Sequence, residues 1–188
     1  MKNLMLLLVL LFSLRCAEAQ LVNEEGFASM QTVDHVDLNR YAGKWFEIAK
    51  YPNWFERKCN ESTAEYTPLP NGKIEVHNTC KNFKDGQLKD VIGVATVKDT
   101  VSNAKLSVTF LPGWLRWTGI GSGKYWIIDL EPNYQYVVVS EPQRKYLWIL
   151  SRTPSLDRGT YEEILKKIQA QGLDLSKIEL AREGAVRD

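Results

Sequence analysis

Gly43-Lys44-Trp45 opens the first of eight segments rich in β-branched and aromatic residues. Arg152 ends the eighth segment, 107 positions after Trp45. In an antiparallel meander with an even number of strands, the first strand begins beside the end of the last. A closed eight-stranded sheet would bring Trp45 and Arg152 together at one mouth, around an interior wide enough for one small ligand. The predicted strands cover residues 45–51, 62–67, 73–80, 89–97, 104–111, 124–130, 135–140 and 146–152.

Alternation and turn signals define how these segments connect. Residues 105–110 alternate polar and apolar, as a half-buried strand does. Asn71-Gly72 predicts a tight hairpin, and Glu131-Pro132-Asn133 places proline where a tight turn begins. The sequence therefore predicts an all-β fold, an eight-stranded up-and-down antiparallel β-barrel. The apolar periodicity of residues 160–171 predicts a C-terminal α-helix packed outside the barrel, and residues 177–180 predict a short edge strand.

The two ends of the chain are expected to lie outside the barrel domain. Residues 1–19 have a positive start, a short apolar run and an Ala-x-Ala site, which together describe a secretory signal peptide. Cys16 raises the alternative of a bacterial lipid anchor, but Arg15 fits poorly directly before a lipidated cysteine. Residues 20–32 are predicted as a leader segment, 33–180 as the barrel domain and 181–188 as a flexible tail. We expect export, to the periplasm or outer membrane of a bacterium or outside a eukaryotic cell.

Charge excludes one class of partner. The full chain carries 24 basic and 23 acidic side chains, and removal of residues 1–19 would leave 22 of each. A chain without net charge has no electrostatic attraction for nucleic acid. We therefore predict no nucleic-acid partner, while a peripheral membrane contact through apolar groups stays open. The sequence predicts no cofactor or metal site, and it leaves the oligomeric state undetermined, with a dimer as one option.

Three segments carry a resemblance to the lipocalin family. They are Gly43-Lys44-Trp45, Leu130-Glu131-Pro132-Asn133-Tyr134, and the run from Tyr146 to Pro154, and their order around eight strands is specific. Within that family the chain is most similar to the bacterial outer-membrane (Blc-like) and apolipoprotein D-like lipocalins. The resemblance implies a barrel that binds fatty acids or lysophospholipids. It also implies that Trp45 and Arg152 stack at the closed end, so Gly43, Trp45 and Arg152 form a structural motif.

Up-and-down order divides the loops between two ends. Long connections collect at the mouth opposite Trp45, and the loops there are aromatic. The aromatic side chains of these loops could fold inward and line the upper cavity, or form an apolar rim that docks on a membrane. They are Trp54, Phe55, Trp114 and Trp117.

Strand parity selects the side chains that should face the cavity. The parity of the second, third and fifth strands favours an inward direction for Ala64, Tyr66, Ile74, Val76, Asn78, Leu106, Val108 and Phe110. Any polar head group of a ligand would need hydrogen-bond partners. The candidates for that role are Tyr66, Tyr125 and Arg116.

Cys59 and Cys80 are the cysteines that follow the predicted signal peptide. Pairing back from Asn71-Gly72 places residue 63 or 64 opposite Cys80, with Cys59 a few residues beyond. A disulfide that pins the first mouth loop to the third strand is the expectation. A metal site or a cysteine nucleophile would need partners that His35 and His77 do not supply in a recognisable spacing.

The favoured function is non-enzymatic binding, storage or transport of a small hydrophobic ligand, a fatty acid or lysophospholipid, for membrane lipid maintenance. One alternative is a barrel that binds or inhibits another protein through its mouth loops. Another is a lipocalin-fold enzyme, which would need an unpaired interior cysteine or a placed acid–base pair.

Overall fold

The computed structural model describes residues 29–112 and 121–188. The predicted signal peptide, most of the leader segment, and Trp114, Arg116 and Trp117, which were predicted to lie in a mouth loop, are outside the described residues. The strands are β1 (Gly43–Lys50), β2 (Cys59–Pro68), β3 (Ile74–Asn82), β4 (Leu88–Val97), β5 (Lys105–Thr109), β6 (Ser122–Leu130), β7 (Tyr136–Ser140), β8 (Leu147–Ser151), β9 (Leu156–Asp157), β10 (Glu179–Leu180) and β11 (Val186–Arg187). The helices are α1 (Leu38–Tyr41), α2 (Arg158–Ala170) and a 3-10 turn (Leu175–Lys177).

Strands β1 to β8 close into an antiparallel barrel. Each strand pairs with the next in sequence, and β8 pairs with β1 to complete the ring. The register joins Trp45 to Ala64 across β1 and β2, and Phe46 to Ser151 across β1 and β8. All eight predicted strands are present, so the predicted up-and-down barrel is confirmed.

Tight turns lie at the end of the barrel where β1 begins. Gly72 takes a positive φ of 75°, which glycine adopts without strain, and the Lys73 backbone N–H donates to the Asn71 side chain. At the β6–β7 turn, the Glu131 carboxylate accepts backbone N–H groups of Asn133 and Gln135. The two longest connections between neighbouring barrel strands, β1–β2 and β5–β6, belong to the opposite mouth.

Two apolar clusters lie on the two faces of the barrel wall. The inner cluster lines the barrel interior around Trp45 and includes Val139 and Leu150. The outer cluster lies between the wall and α2, whose Ile164 and Ile168 are buried. This arrangement confirms the predicted helix outside the barrel. It also explains why β7 is buried along its whole length, since its two faces meet different clusters.

The C-terminal residues extend the wall. Strand β10 pairs with the upper part of β1, with Ala49 opposite Leu180, as the edge strand predicted for residues 177–180. Residues 181–188 differ from the predicted flexible tail, because β11 pairs in parallel with β9 and Ala185 is fully buried in the outer cluster. Half of residues 181–188 are charged, so their sequence gives no sign of this packing. In the described residues, no helix combines the length and apolarity needed to cross a membrane.

Candidate functional site

Trp45 and Arg152 meet at the closed end of the barrel. The Arg152 guanidinium carbon lies 3.8 Å from the centroid of the fully buried Trp45 ring. The same guanidinium donates hydrogen bonds to five backbone carbonyls, those of Arg40, Tyr41, Ala42, Lys44 and Tyr134. The Trp45 indole N–H donates to the Tyr41 carbonyl at 2.8 Å. These contacts join α1, β1 and the β6–β7 turn, which suits the structural role expected for the pair.

Gly43 belongs to the same floor for a backbone reason. Its φ is 90°, a conformation that other residues rarely adopt. A Cβ at this position would lie 3.5 Å from an Arg152 guanidinium nitrogen. Glycine therefore lets the chain turn into β1 directly beneath Arg152.

Most of the side chains predicted to face inward belong to the inner cluster. Those buried in it or packed against it are Ala64, Tyr66, Ile74, Val76, Leu106, Val108 and Tyr125. Asn78 is partly buried on the same face of β3, and its amide oxygen has no hydrogen-bond partner among the described residues. Ligand contact by these residues stays a prediction.

Phe110 lies just beyond β5 and is 41% exposed. It takes the position opposite Gly93, one pair beyond the Val94–Thr109 pair of the β4–β5 ladder. A Cβ on Gly93 would lie 2.6 Å from the Phe110 ring, so the ring occupies the space of the missing side chain. Phe110 therefore lies on the inward side of the strand, as predicted, but its ring packs over Gly93 at the mouth.

Three tyrosines form a hydrogen-bonded chain above the floor. The Tyr125 hydroxyl lies 2.6 Å from that of Tyr41 and 2.8 Å from that of Tyr66. Burial raises the pKa of Tyr66 to about 12, and burial also raises the pKa values of Tyr41 and Tyr125 well above their ordinary range. All three are neutral hydrogen-bonding groups at physiological pH. Tyr41 was not predicted as an inward residue, because it lies in α1 and has no strand parity.

An ionic cluster lies at the upper end of β1. Lys50 Nζ lies 2.9 Å from a Glu47 carboxylate oxygen and 3.4 Å from one of Glu56. The first contact is a close ion pair within β1. Glu47 and Lys50 are 4% and 8% exposed, so both charges are held largely away from water. Buried charges persist only when they are paired, which explains why two carboxylates surround one ammonium.

Burial perturbs the protonation of this cluster. The pKa of Glu47 rises to about 7, mainly because of burial and then because of the Glu56 charge, while Lys50 acts in the opposite sense. Burial lowers the pKa of Lys50, but the two carboxylates outweigh it and the pKa is raised. Lys50 therefore stays charged at neutral pH, whereas Glu47 titrates there.

Sequence reasoning missed this cluster because of a β-bulge. In a regular strand, Glu47 and Lys50 are three positions apart and would face opposite sides of the sheet. The β1–β8 register shifts between Glu47 and Ala49, which turns Lys50 back to the side of Glu47. The only available signal was two charges in a strand otherwise rich in apolar residues.

The aromatic residues of the first mouth loop do not fold into the barrel. Trp54 is 75% exposed and packs edge-on against Phe55, which is 48% exposed. Phe55 in turn contacts Tyr146 and Trp148, whose rings stack at 5.8 Å. The mouth therefore presents an aromatic surface on the side of β8.

Cys59 and Cys80 form the predicted disulfide. The bridge joins the start of β2 to β3, and so fixes the end of the first mouth loop. Both sulfurs are engaged, which removes the metal-site and nucleophile alternatives for these cysteines. Residues 29–112 and 121–188 contain no group of three or more His, Cys, Asp or Glu that could hold a metal ion.

Comparison with known proteins gives the same family over most of the chain. A family model described as a lipocalin-like domain matches residues 36–183. Temperature-induced lipocalin-1 of Arabidopsis thaliana is 37% identical over 152 residues, which are 79% of this chain and 80% of that protein. The outer membrane lipoprotein Blc of Vibrio cholerae is 33% identical, with 80% and 84% covered, and mouse (Mus musculus) apolipoprotein D is 31% identical, with 77% and 76% covered.

A solved structure shows the same fold. Insecticyanin from the tobacco hornworm Manduca sexta superimposes with a TM-score of 0.64 at 22% identity, covering 82% of this chain and 84% of that one. At that identity the likeness concerns the fold alone. The family-model match and the sequence relatives together establish that the chain belongs to the lipocalin family.

Proposed function

We propose that this protein is a non-enzymatic carrier that holds one acyl lipid, a fatty acid or a lysophospholipid, inside its barrel for membrane lipid maintenance. The observation that carries the proposal is the closed eight-stranded wall with an apolar inner face. Family membership supports small-hydrophobic-ligand binding in general. Apolar surface withdrawn from water stabilises a bound chain by roughly 25 cal/mol per Å2.

The polar groups of the barrel support an amphipathic ligand. Near the floor, the hydroxyls of Tyr41, Tyr66 and Tyr125 bond to one another, which leaves the walls around them apolar. The charged groups Lys50 and Glu56 lie toward the mouth. An acyl chain pointing at the floor with its head at the mouth fits this division.

A carrier role is favoured over catalysis by a cysteine nucleophile. Both described cysteines are joined in the disulfide, so neither supplies a nucleophile. Export forms part of the proposal, since disulfides persist in oxidising compartments. The Vibrio cholerae relative named above is an outer membrane lipoprotein. In this chain Cys16, the candidate for a lipid anchor, lies outside the described residues.

Native mass spectrometry of the purified protein tests the carrier proposal. We expect a co-purified species with the mass of one fatty acid or lysophospholipid, released when the barrel is denatured. A protein that carries no lipid and takes up none from added oleic acid would contradict the proposal. A tight complex with another protein, formed without lipid, would favour the inhibitor alternative.

We further propose that the mouth contacts a membrane surface during lipid transfer. Apolar side chains at this end are exposed, with Trp54 at 75% and Phe83 at 57%. Tryptophan favours the membrane interface. Liposome sedimentation of a Trp54→Ser, Phe83→Ser variant should show weaker partitioning than wild type. Val101→Ser is the matched control, because Val101 is 84% exposed at the closed end, and equal loss in both variants would contradict the contact.

A further inference from the structure

One carboxylate oxygen of Glu56 is surrounded by three donors. Asn53 Nδ2 lies 2.6 Å from Oε2, the Trp148 indole nitrogen 3.2 Å and Lys50 Nζ 3.4 Å. The indole and the ammonium are donors only, and the ammonium is charged. These three groups, which we term the Glu56 site, have the composition of a binding site for an oxyanion.

The Glu56 site lies between the barrel interior and a surface cavity. Trp148 packs against the inner apolar cluster, so one side of the site is continuous with the barrel wall. The other side borders a cavity of about 410 Å3. The cavity lining includes Lys50, Asn53, Glu56, Arg57, Asn60 and Leu180. A head group larger than a carboxylate therefore has room beside the site, where the lining adds one further cation, Arg57, and one further carboxylate, Glu179.

Two of the three donors, Lys50 and Trp148, belong to barrel strands, whereas Asn53 and Glu56 belong to the same loop. Lys50 and Trp148 are opposite each other in the β1–β8 ladder. The loop that carries Glu56 is anchored at Tyr51, whose backbone N–H donates to Leu147, and at Cys59 through the disulfide. Only the residues between these anchors would have to move for the Glu56 side chain to leave Lys50 and Trp148.

The charge balance favours replacement of Glu56 by another anion. Lys50 has Glu47 on one side, and because Glu47 is only partly ionised at neutral pH, Glu56 supplies the greater part of the negative charge beside the ammonium. An incoming carboxylate or phosphate would take the place of that charge, leaving the ammonium paired as before. A neutral head group would leave the ammonium with fewer charged partners in a largely buried position, which is unfavourable.

We propose that the Glu56 site binds the oxyanion head group, carboxylate or phosphate, of the acyl lipid carried in the barrel, and that Glu56 competes with the lipid for it. This inference rests on the carrier function proposed above. Acyl lipids that end in an oxyanion are preferred over neutral ones of the same length. The carboxylate of the protein itself sets the strength of that preference.

Removal of the internal competitor tests the inference. Glu56→Ala should tighten oleic acid binding by about threefold to tenfold, the equivalent of roughly 0.7–1.4 kcal/mol. Oleyl alcohol, which has the same chain and no charge, should change by less than about twofold. Lysophosphatidic acid shows whether a phosphate uses the site as well. Glu65→Ala is the control, because Glu65 is an exposed carboxylate on the neighbouring strand β2.

A second variant tests the donors without altering charge. Trp148→Phe keeps an aromatic ring beside Phe55 but removes the indole N–H. This variant should weaken oleic acid binding by about threefold and leave oleyl alcohol binding unchanged. If both variants change the acid and the alcohol equally, the Glu56 site is refuted while the carrier function stands. If delipidated wild-type protein binds none of the three lipids, both proposals fall.

Discussion

Replacement of Arg152 should open the floor of the barrel. The guanidinium lies 3.8 Å over the Trp45 ring and donates to five carbonyls contributed by two separate parts of the chain. A cation–π contact contributes about 0.5–2 kcal/mol, and a hydrogen bond from a charged group about 1.5–3 kcal/mol. The hydrogen bonds to the Lys44 and Arg40 carbonyls lie in exposed positions, where water can replace the guanidinium, so these contributions do not add. We expect Arg152→Met to lower the free energy of unfolding by about 3–5 kcal/mol.

Arg152→Lys should lower the free energy of unfolding by about half as much as Arg152→Met. Lysine keeps the positive charge over Trp45, but its ammonium lacks the planar fork that reaches several carbonyls at once. Urea unfolding followed by tryptophan fluorescence measures both variants, with the disulfide kept oxidised. Arg57→Met is the control, since Arg57 is exposed on the opposite mouth. If Arg152→Met lies within about 1 kcal/mol of wild type, the floor contacts do not stabilise the barrel as argued.

Three further outcomes concern the wall. The raised pKa of Glu47 stabilises the folded protein fully below pH 4.5, and this stabilisation is lost as pH rises through about 7. The free energy of unfolding of the wild type should therefore fall by about 3 kcal/mol between pH 5 and 8, and Glu47→Gln should remove this fall. Parallel pH profiles of the two proteins in urea unfolding would contradict the prediction. A Cys59→Ser, Cys80→Ser variant should lose about 3 kcal/mol, and reductant should then have no further effect on its urea midpoint. Gly93→Ala should lower the free energy of unfolding, measured by thermal unfolding, by about 1–3 kcal/mol. Adding Phe110→Ala should restore only part of that stability, because a Cβ at residue 93 also lies 2.8 Å from the Thr109 carbonyl oxygen.

The elements that were predicted correctly are those with a local cause. The Asn71-Gly72 hairpin follows from backbone conformation, since a left-handed residue is required and Gly72 supplies it. The outer helix follows from the period of its apolar side chains, and it spans Arg158–Ala170 against a prediction of 160–171. Its earlier start comes from Asp157, whose carboxylate accepts the Thr160 backbone N–H as an N-cap.

The features that sequence reasoning missed depend on long-range packing. The bulge in β1 changes strand parity after Glu47, so the ionic cluster around Lys50 could not be found by counting alternate residues. Ala185 is buried only because β11 adds to β9, a contact between residues thirty positions apart. Exposure of Trp54 depends on how the mouth loop is anchored, a property that composition does not contain.

A side chain that fills the barrel interior shows whether a hydrophobic ligand lies inside the barrel. Val108 faces the inner cluster, and the adjacent Ser107 on the same strand faces outward. Delipidated wild type, Val108→Trp and the control Ser107→Trp are titrated with oleic acid by native mass spectrometry, after circular dichroism shows that all three are folded. We predict one oleic acid per wild-type and Ser107→Trp barrel, and at least about tenfold weaker binding by Val108→Trp. Equal binding by Val108→Trp and Ser107→Trp would contradict the account, because the ligand would then lie elsewhere.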